Sequence, residues 1–343
     1  MGFVCSTEGV NSFLRALSRT YRVVAPVRFE GGGAFTGTDC VRYAEITDID
    51  DVVFDEKSRF SFKELLLPPS QTLFYFTEDH VTEPSPAAKP AVIFLRSCDL
   101  HAVRRLDEIY RGGGNPDYYY EQRRKDVKFV LMGCTKCFDS CFCVDMGTNV
   151  SENYDLSIES DGAGWRLDCK DADWAELLRK QGGTEAEVTP SHVTETKTRV
   201  RIPENLDFSV AKSKMWDEYD KRCIACGRCN FSCPTCTCFS MQDIFYRDNP
   251  KTGERRRVQA SCMVDGFADM AGGSTYRKNH GARMRYKVLH KVYDFNKRSG
   301  FQMCVGCGRC DDICPEYISF AACVNKLADA VDALAAQEVS ADE

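Results

Sequence analysis

A chain of 343 residues is long enough for two domains and a substantial core. Its 43% hydrophobic and 28% charged residues exclude a disordered or fibrous protein. A formal charge of −6, from 45 basic and 51 acidic side chains, argues against a general nucleic-acid binder.

No apolar run approaches the roughly 20 residues that a membrane helix needs. The segment Met1–Cys5 lacks the basic stretch and apolar core of a secretory signal, so the expected location is the cytoplasm, with no membrane span. The chain has 20 cysteines, crowded at metal-ligand spacings, and reduced thiols holding metal fit that pattern better than a disulfide framework.

In chain order, Val10–Tyr21 reads as a helix with Phe13, Leu14 and Leu17 on one side. Strands are expected at Arg22–Phe29, Thr72–Phe76, Ala91–Arg96 and Lys128–Gly133. Between the last two, Asp99–Tyr110 carries Val103, Leu106 and Ile109 on one helical face, with Asp99 as its cap, which makes a β-α-β unit. Ser157–Pro203 is polar and reads as surface hairpins plus a helix over Trp174–Lys180. The boundary is placed there, giving an α/β domain over residues 1–205 and an α-helical dicluster ferredoxin domain over 206–343. In the second part Met215–Arg222, Ala282–Lys297 and Tyr317–Gln337 have helical patterns, and the tail Glu338–Glu343 is expected to fray.

The decisive feature is a repeat. Cys223-Ile224-Ala225-Cys226-Gly227-Arg228-Cys229 is echoed by Cys304-Val305-Gly306-Cys307-Gly308-Arg309-Cys310, and each continues to a fourth cysteine followed by proline, Cys233-Pro234 and Cys314-Pro315. This is the spacing of two-cluster ferredoxins, in which three cysteines hold one 4Fe-4S cube and the fourth crosses to the other. Two residues between cysteines let one tight turn set successive thiolates on neighbouring iron corners. The expected ligands are Cys223, Cys226, Cys229 and Cys314 for one cube, and Cys304, Cys307, Cys310 and Cys233 for the second. Zinc sites also use C-x2-C pairs, and a zinc-stabilised scaffold is the competing reading from another class.

A third 4Fe-4S site is expected from Cys98, Cys134, Cys141 and Cys143, because Cys98 and Cys134 follow two adjacent strands and ligands gather at such strand ends. Cys137 is an alternative fourth ligand, and ordinary buried cysteines are the alternative to a site. No G-x-G-x-x-G follows a candidate strand, so no dinucleotide site is expected on this chain, and no catalytic residue is assigned. The five histidines form no metal-binding pair, and His101 is expected on an exposed helix face. Arg255, Arg256 and Arg257 could dock an acidic partner or lie in a solvated loop.

The run from Cys226 through Cys236-Thr237-Cys238-Phe239, with Ser261–Val264, Asp269–Gly273 and Cys304–Cys314, resembles the A subunit of anaerobic sulfite reductase. The likeness continues upstream through Cys98-Asp99, Cys134 and Cys141–Asn149. A related likeness is to the β subunit of soluble sulfhydrogenases. The first resemblance implies an electron-transfer subunit that takes electrons from an NADH-oxidising flavoprotein subunit. It passes them to a siroheme subunit that reduces sulfite to sulfide. The second implies a hydrogenase partner instead. In the sulfite reductase pattern Cys98, Cys134, Cys141 and Cys143 match N-terminal cysteines, whereas Cys137 does not. Cys236, Cys238 and Cys262 lie in the shared motifs without an assigned role.

Overall fold

The computed structural model describes residues 1–85, 89–246 and 248–341. The strands, in chain order, are β1 (Gly2–Cys5), β2 (Arg22–Phe29), β3 (Cys40–Glu45), β4 (Ser70–Phe76), β5 (Val81–Thr82), β6 (Ala91–Leu95), β7 (Lys128–Met132), β8 (Leu156–Ser160), β9 (Trp165–Cys169), β10 (Thr184–Glu185), β11 (Phe239–Tyr246) and β12 (Asn249–Gln259). An eight-stranded sheet has the order β10-β1-β9-β8-β7-β6-β2-β3. Its centre, β2-β6-β7-β8, is parallel, and the flanking pairs are antiparallel.

Alternation along the central strands builds a core on each face, as a period of two requires. Val92, Phe94, Val130 and Met132 join Phe13, Leu14 and Trp174 on one side. Ile93, Leu95, Phe129 and Leu131 join Val103 and Leu106 on the other. The first helix runs over Thr7–Leu17, starting earlier than its apolar stripe suggests because Ser6 caps it by accepting from the Gly9 amide. The helix after β6 spans Ser97–Arg111, so Asp99 sits inside its first turn and does not cap it. That carboxylate is fully buried and turned to a different partner, described below.

The β4 segment departs from expectation. It leaves the main sheet and forms a second, antiparallel sheet of order β11-β12-β4-β5. The long interval between the two cysteine motifs is therefore not helical throughout, since β11 and β12 make a hairpin within it. β12 is polar and β11 leaves Phe239, Met241, Phe245 and Tyr246 exposed, so no regular apolar alternation marks them, and the β12–β4 pairing joins residues more than 160 positions apart. The fold is a mixed α/β structure with the dicluster motifs toward its C-terminal end.

After the hairpin, His280–Leu289 continues through a π-turn at His290–Asp294 into Phe295–Ser299, and Phe320–Ala341 is the last helix. Their apolar sides, with Met284, Val288, Val292, Phe320, Val324 and Leu327, form the third core. The helix thus covers the start of the tail expected to fray, while residues 342–343 lie outside the described residues. No helix among the described residues is long and apolar enough to cross a membrane.

Candidate metal centres

The repeated sequence becomes a repeated backbone. Gly227 and Gly308 occupy the left-handed region with φ of 74° and 70°, and the matching positions Ala225 and Gly306 do the same at 55° and 65°. These turns aim amides at sulfur: Ala225 N lies 3.4 Å from Cys223 Sγ, and Gly306 N lies 3.5 Å from Cys304 Sγ. The difference between Ala225 and Gly306 has a cause. A Cβ on Gly306 would meet the Phe142 carbonyl oxygen at 2.6 Å, because the segment bearing Cys141 and Cys143 packs directly on the second motif.

Two cavities lie between the motifs. One is lined by Cys223, Cys226, Cys229 and Cys314, with Cys310 in its wall. The other is lined by Cys233, Cys304, Cys307 and Cys310, with Cys229 in its wall. The fourth cysteine of each motif thus reaches the cavity of the other motif. The first cavity opens at the surface, where Cys226 is exposed, whereas Cys307 in the second is buried.

A third cavity collects Cys98, Cys134, Cys141 and Cys143 beyond the ends of β6 and β7, together with Cys137. All five thiols share it, so Cys137 stays an alternative ligand. The adjacent second motif is tied to this region by several bonds. Phe142 N donates to Gly306 O at 2.8 Å, and Thr148 Oγ1 donates to Val305 O at 2.7 Å. Lys57 Nζ reaches Cys307 O at 3.0 Å.

Between that cavity and the second motif lies the Arg309–Asp99 ion pair, bidentate at 2.7 and 2.8 Å, with both side chains buried. Arg228, the matching residue of the first motif, is exposed. One arginine of the repeat therefore locks the two parts of the chain together, and the other faces solvent.

The donor set fits 4Fe-4S cubes. Burial pushes the bare thiols up, Cys304 to about 11, and Cys307 and Cys143 to about 12. Thiolates in these positions need positive charge, which iron supplies on binding. The surroundings add more. Lys287 faces both motif cavities and Lys291 lines the second, each about 96–97% buried, and neither forms an ion pair with a carboxylate among the described residues. Lys291 Nζ lies 3.3 Å from Cys233 Sγ and donates to Thr235 Oγ1 at 2.9 Å. Unpaired buried ammonium groups are costly unless an anionic centre faces them. Among the described residues no three His, Cys, Asp or Glu side chains are spaced around one shared ion. A cube asks for a different arrangement, one thiolate at each of four separated irons.

Residues 222–318 match the model of a 4Fe-4S dicluster domain. The chain carries two 4Fe-4S clusters. It is also 28% identical over 328 residues to sulfhydrogenase 2 subunit beta of Pyrococcus furiosus, covering 91% of this chain and 94% of that relative. This is an iron–sulfur electron-transfer chain related to a sulfhydrogenase β subunit, and its further cysteines are compatible with another cluster.

The lysines facing the cavities were not singled out from sequence, yet a signal was there. Lys287 and Lys291 are four apart, beside the Met284, Val288 and Val292 stripe of one helix, so they follow its inward face. The Arg255–Arg257 run is not a free basic patch. Arg255 pairs with Asp243, Arg256 with Glu254 and the buried Arg257 with Asp117, all tied to the second sheet. His101 is half-buried on its helix, with Nε2 2.7 Å from the Val150 carbonyl. Cys5, Cys40, Cys169 and Cys323 are buried away from the three cavities.

Proposed function

We propose that this chain relays single electrons within a larger oxidoreductase complex through three sites held in a row. The observation that carries the reading is the sharing of walls. Cys229, Cys310 and Lys287 line both motif cavities. Cys307 of the second faces the third across the Cys141 thiol, which lies 3.7 Å from the Cys307 carbonyl. On this reading Cys223, Cys226, Cys229 and Cys314 hold the outer cube, and Cys304, Cys307, Cys310 and Cys233 hold the middle one. Cys98, Cys134, Cys141 and Cys143 hold the third, within residues 1–205, and residues 206–343 house the other two. The clusters supply one-electron carriers whose potentials the protein sets through charge, burial and hydrogen bonds. The chain's own residues fix the order of sites, exclude water from the middle one and surround it with cations.

The relative's name favours a hydrogenase complex as the setting. The motif resemblance around Cys226–Phe239, Ser261–Val264 and Cys141–Asn149 favours a second setting, in which an NADH-oxidising flavoprotein subunit and a siroheme sulfite-reducing subunit stand on either side. Native co-purification separates the two: a nickel-iron subunit and hydrogen uptake support the first, siroheme and sulfite-dependent NADH oxidation the second. Iron and acid-labile sulfide on anaerobically prepared protein test the sites, with about twelve irons expected for three cubes and about eight for two. Replacing Cys98 with Ser is expected to remove one cube's worth of iron; unchanged iron would refute the third site.

A further inference from the structure

Three cysteines lie beside the cluster sites without belonging to them. Cys236 and Cys238 line a separate cavity with Lys63, Tyr110 and Arg257. Cys262, buried just beyond the end of β12, lies beside the Cys238 thiol. The hairpin fixes this meeting, because Phe239 pairs with Gln259 and the next bond runs from Ala260 N to Cys238 O at 2.9 Å. Asn230, 1% exposed and next in sequence to Cys229, donates Nδ2 to Cys262 Sγ at 3.1 Å. Cys236 in turn lies beside the thiol of Cys233. The group therefore adjoins Cys229 and Cys233, two cysteines of the first motif that are assigned to different cubes.

We propose that Cys238 and Cys262 form a dithiol–disulfide couple in contact with the cluster sites, taking a low-molecular-weight disulfide as its oxidant in the Cys236–Cys238 cavity. The proposal rests on the cluster reading above. The two thiols are divided as such a couple requires. Cys238 is partly accessible in the cavity, and the neighbouring Cys262 together with the Lys291 and Lys63 ammonium groups draws its thiol down to about 6. Cys262 is 5% exposed, and the adjacent Cys238 and its own burial raise its thiol. A thiolate at the opening and a protonated thiol behind it are the attacking and resolving partners of disulfide exchange.

The Cys238 thiolate attacks one sulfur of the small disulfide, forming a mixed disulfide and expelling one thiolate, which takes up a proton. Cys262 gives up its proton, attacks Cys238 Sγ and expels the second thiol, leaving a Cys238–Cys262 bond. Two electrons, which the neighbouring clusters would supply singly, and one proton would restore the Cys238 thiolate and the Cys262 thiol. Lys63 donates Nζ to the carbonyls of Asn230 and Cys236 at 3.1 and 2.9 Å, so its charge is fixed beside the departing thiolate.

The test uses the full, cluster-containing chain under anaerobic conditions, reduced, freed of reductant and then given 2-hydroxyethyl disulfide. A Cys238–Cys262 cross-linked peptide in the mass spectrum and disappearance of the reduced-cluster paramagnetic signal are expected. Cys262→Ser should keep the probe as a mixed disulfide on Cys238, and Cys238→Ser should leave the signal standing, both at full iron content. Protein of full iron content with no Cys238–Cys262 link overturns the couple and leaves the cluster reading intact. The same holds for an adduct on Cys236 in its place. Iron lost from either variant also overturns it, because those cysteines would then be ligands. Wild-type protein lacking iron defeats the cluster reading and the inference together.

Discussion

The Asp99→Asn substitution tests how the two parts of the chain are held together. Asp99 is 0% exposed and Arg309 2%, and their bidentate pair bridges the helix after β6 to the second cysteine motif. Asparagine keeps the shape and removes the charge. Arg309 would be left with the Ser58 carbonyl at 3.2 Å and the Ser58 hydroxyl at 3.4 Å, neither of which balances a buried cation. Stranding one member of a buried pair costs about 3–5 kcal/mol. Against a typical stability of about 5–15 kcal/mol, that is roughly a fifth of the total or more. Anaerobic guanidinium unfolding, followed by tryptophan fluorescence, should show the midpoint fall with the slope unchanged. Adding Arg309→Met removes the stranded charge and should recover part of the loss. A single variant within about 1 kcal/mol of the parent, or a double variant worse than the sum of the singles, would refute the reasoning.

Replacing Lys287 with Met should lower the midpoint potentials of the clusters by roughly 50–150 mV, the size of one charge about 5–15 Å away at an effective dielectric near 20. Potentiometric titration followed by electron paramagnetic resonance reads this, and unmoved potentials would show the ammonium to be screened. Gly308→Ala should loosen the Cys141–Cys143 segment, since φ is 70° and the new Cβ would meet the Ser140 carbonyl oxygen at 2.3 Å. Its readout is faster loss of iron on mild heating, and Arg228→Ala, at an exposed position, serves as the neutral comparison. Burial, then the nearby Lys291, Arg298 and Arg277 charges, hold His290 down at about 4, while Tyr286 stacks on it with ring centroids 5.7 Å apart. The unfolded chain, with a histidine near its ordinary value of about 6.5, therefore binds more protons between pH 6.5 and 4. The His290 contribution is complete above pH 6.5 and is lost as pH falls through that window. The stability difference between wild type and His290→Gln should shrink over the same range, and a difference independent of pH would count against it.

The presence of two 4Fe-4S clusters was legible in the sequence alone. Cysteine spacing is a local property, since two residues between thiols fit one turn, so the two motifs could be recognised before any fold was known, and the cavities gather the eight cysteines the spacing singles out. The strands Arg22–Phe29, Ala91–Leu95 and Lys128–Met132 were legible for a similar reason, their apolar runs being bounded by turn residues. What tertiary structure decided was everything carried by long-range pairing or by a charge inside. The β11–β12 hairpin shows no apolar alternation and gains its place from β4. Asp99 looks like a helix cap until Arg309, 210 residues away, is brought to it. Arg228 and Arg309 are the same letter at the same point of a repeat, and Lys287 and Lys291 resemble any solvated lysines. Only packing tells which cations are sealed against sulfur and which stand in water, because the energy of a charge depends on the medium around it, which no stretch of sequence specifies.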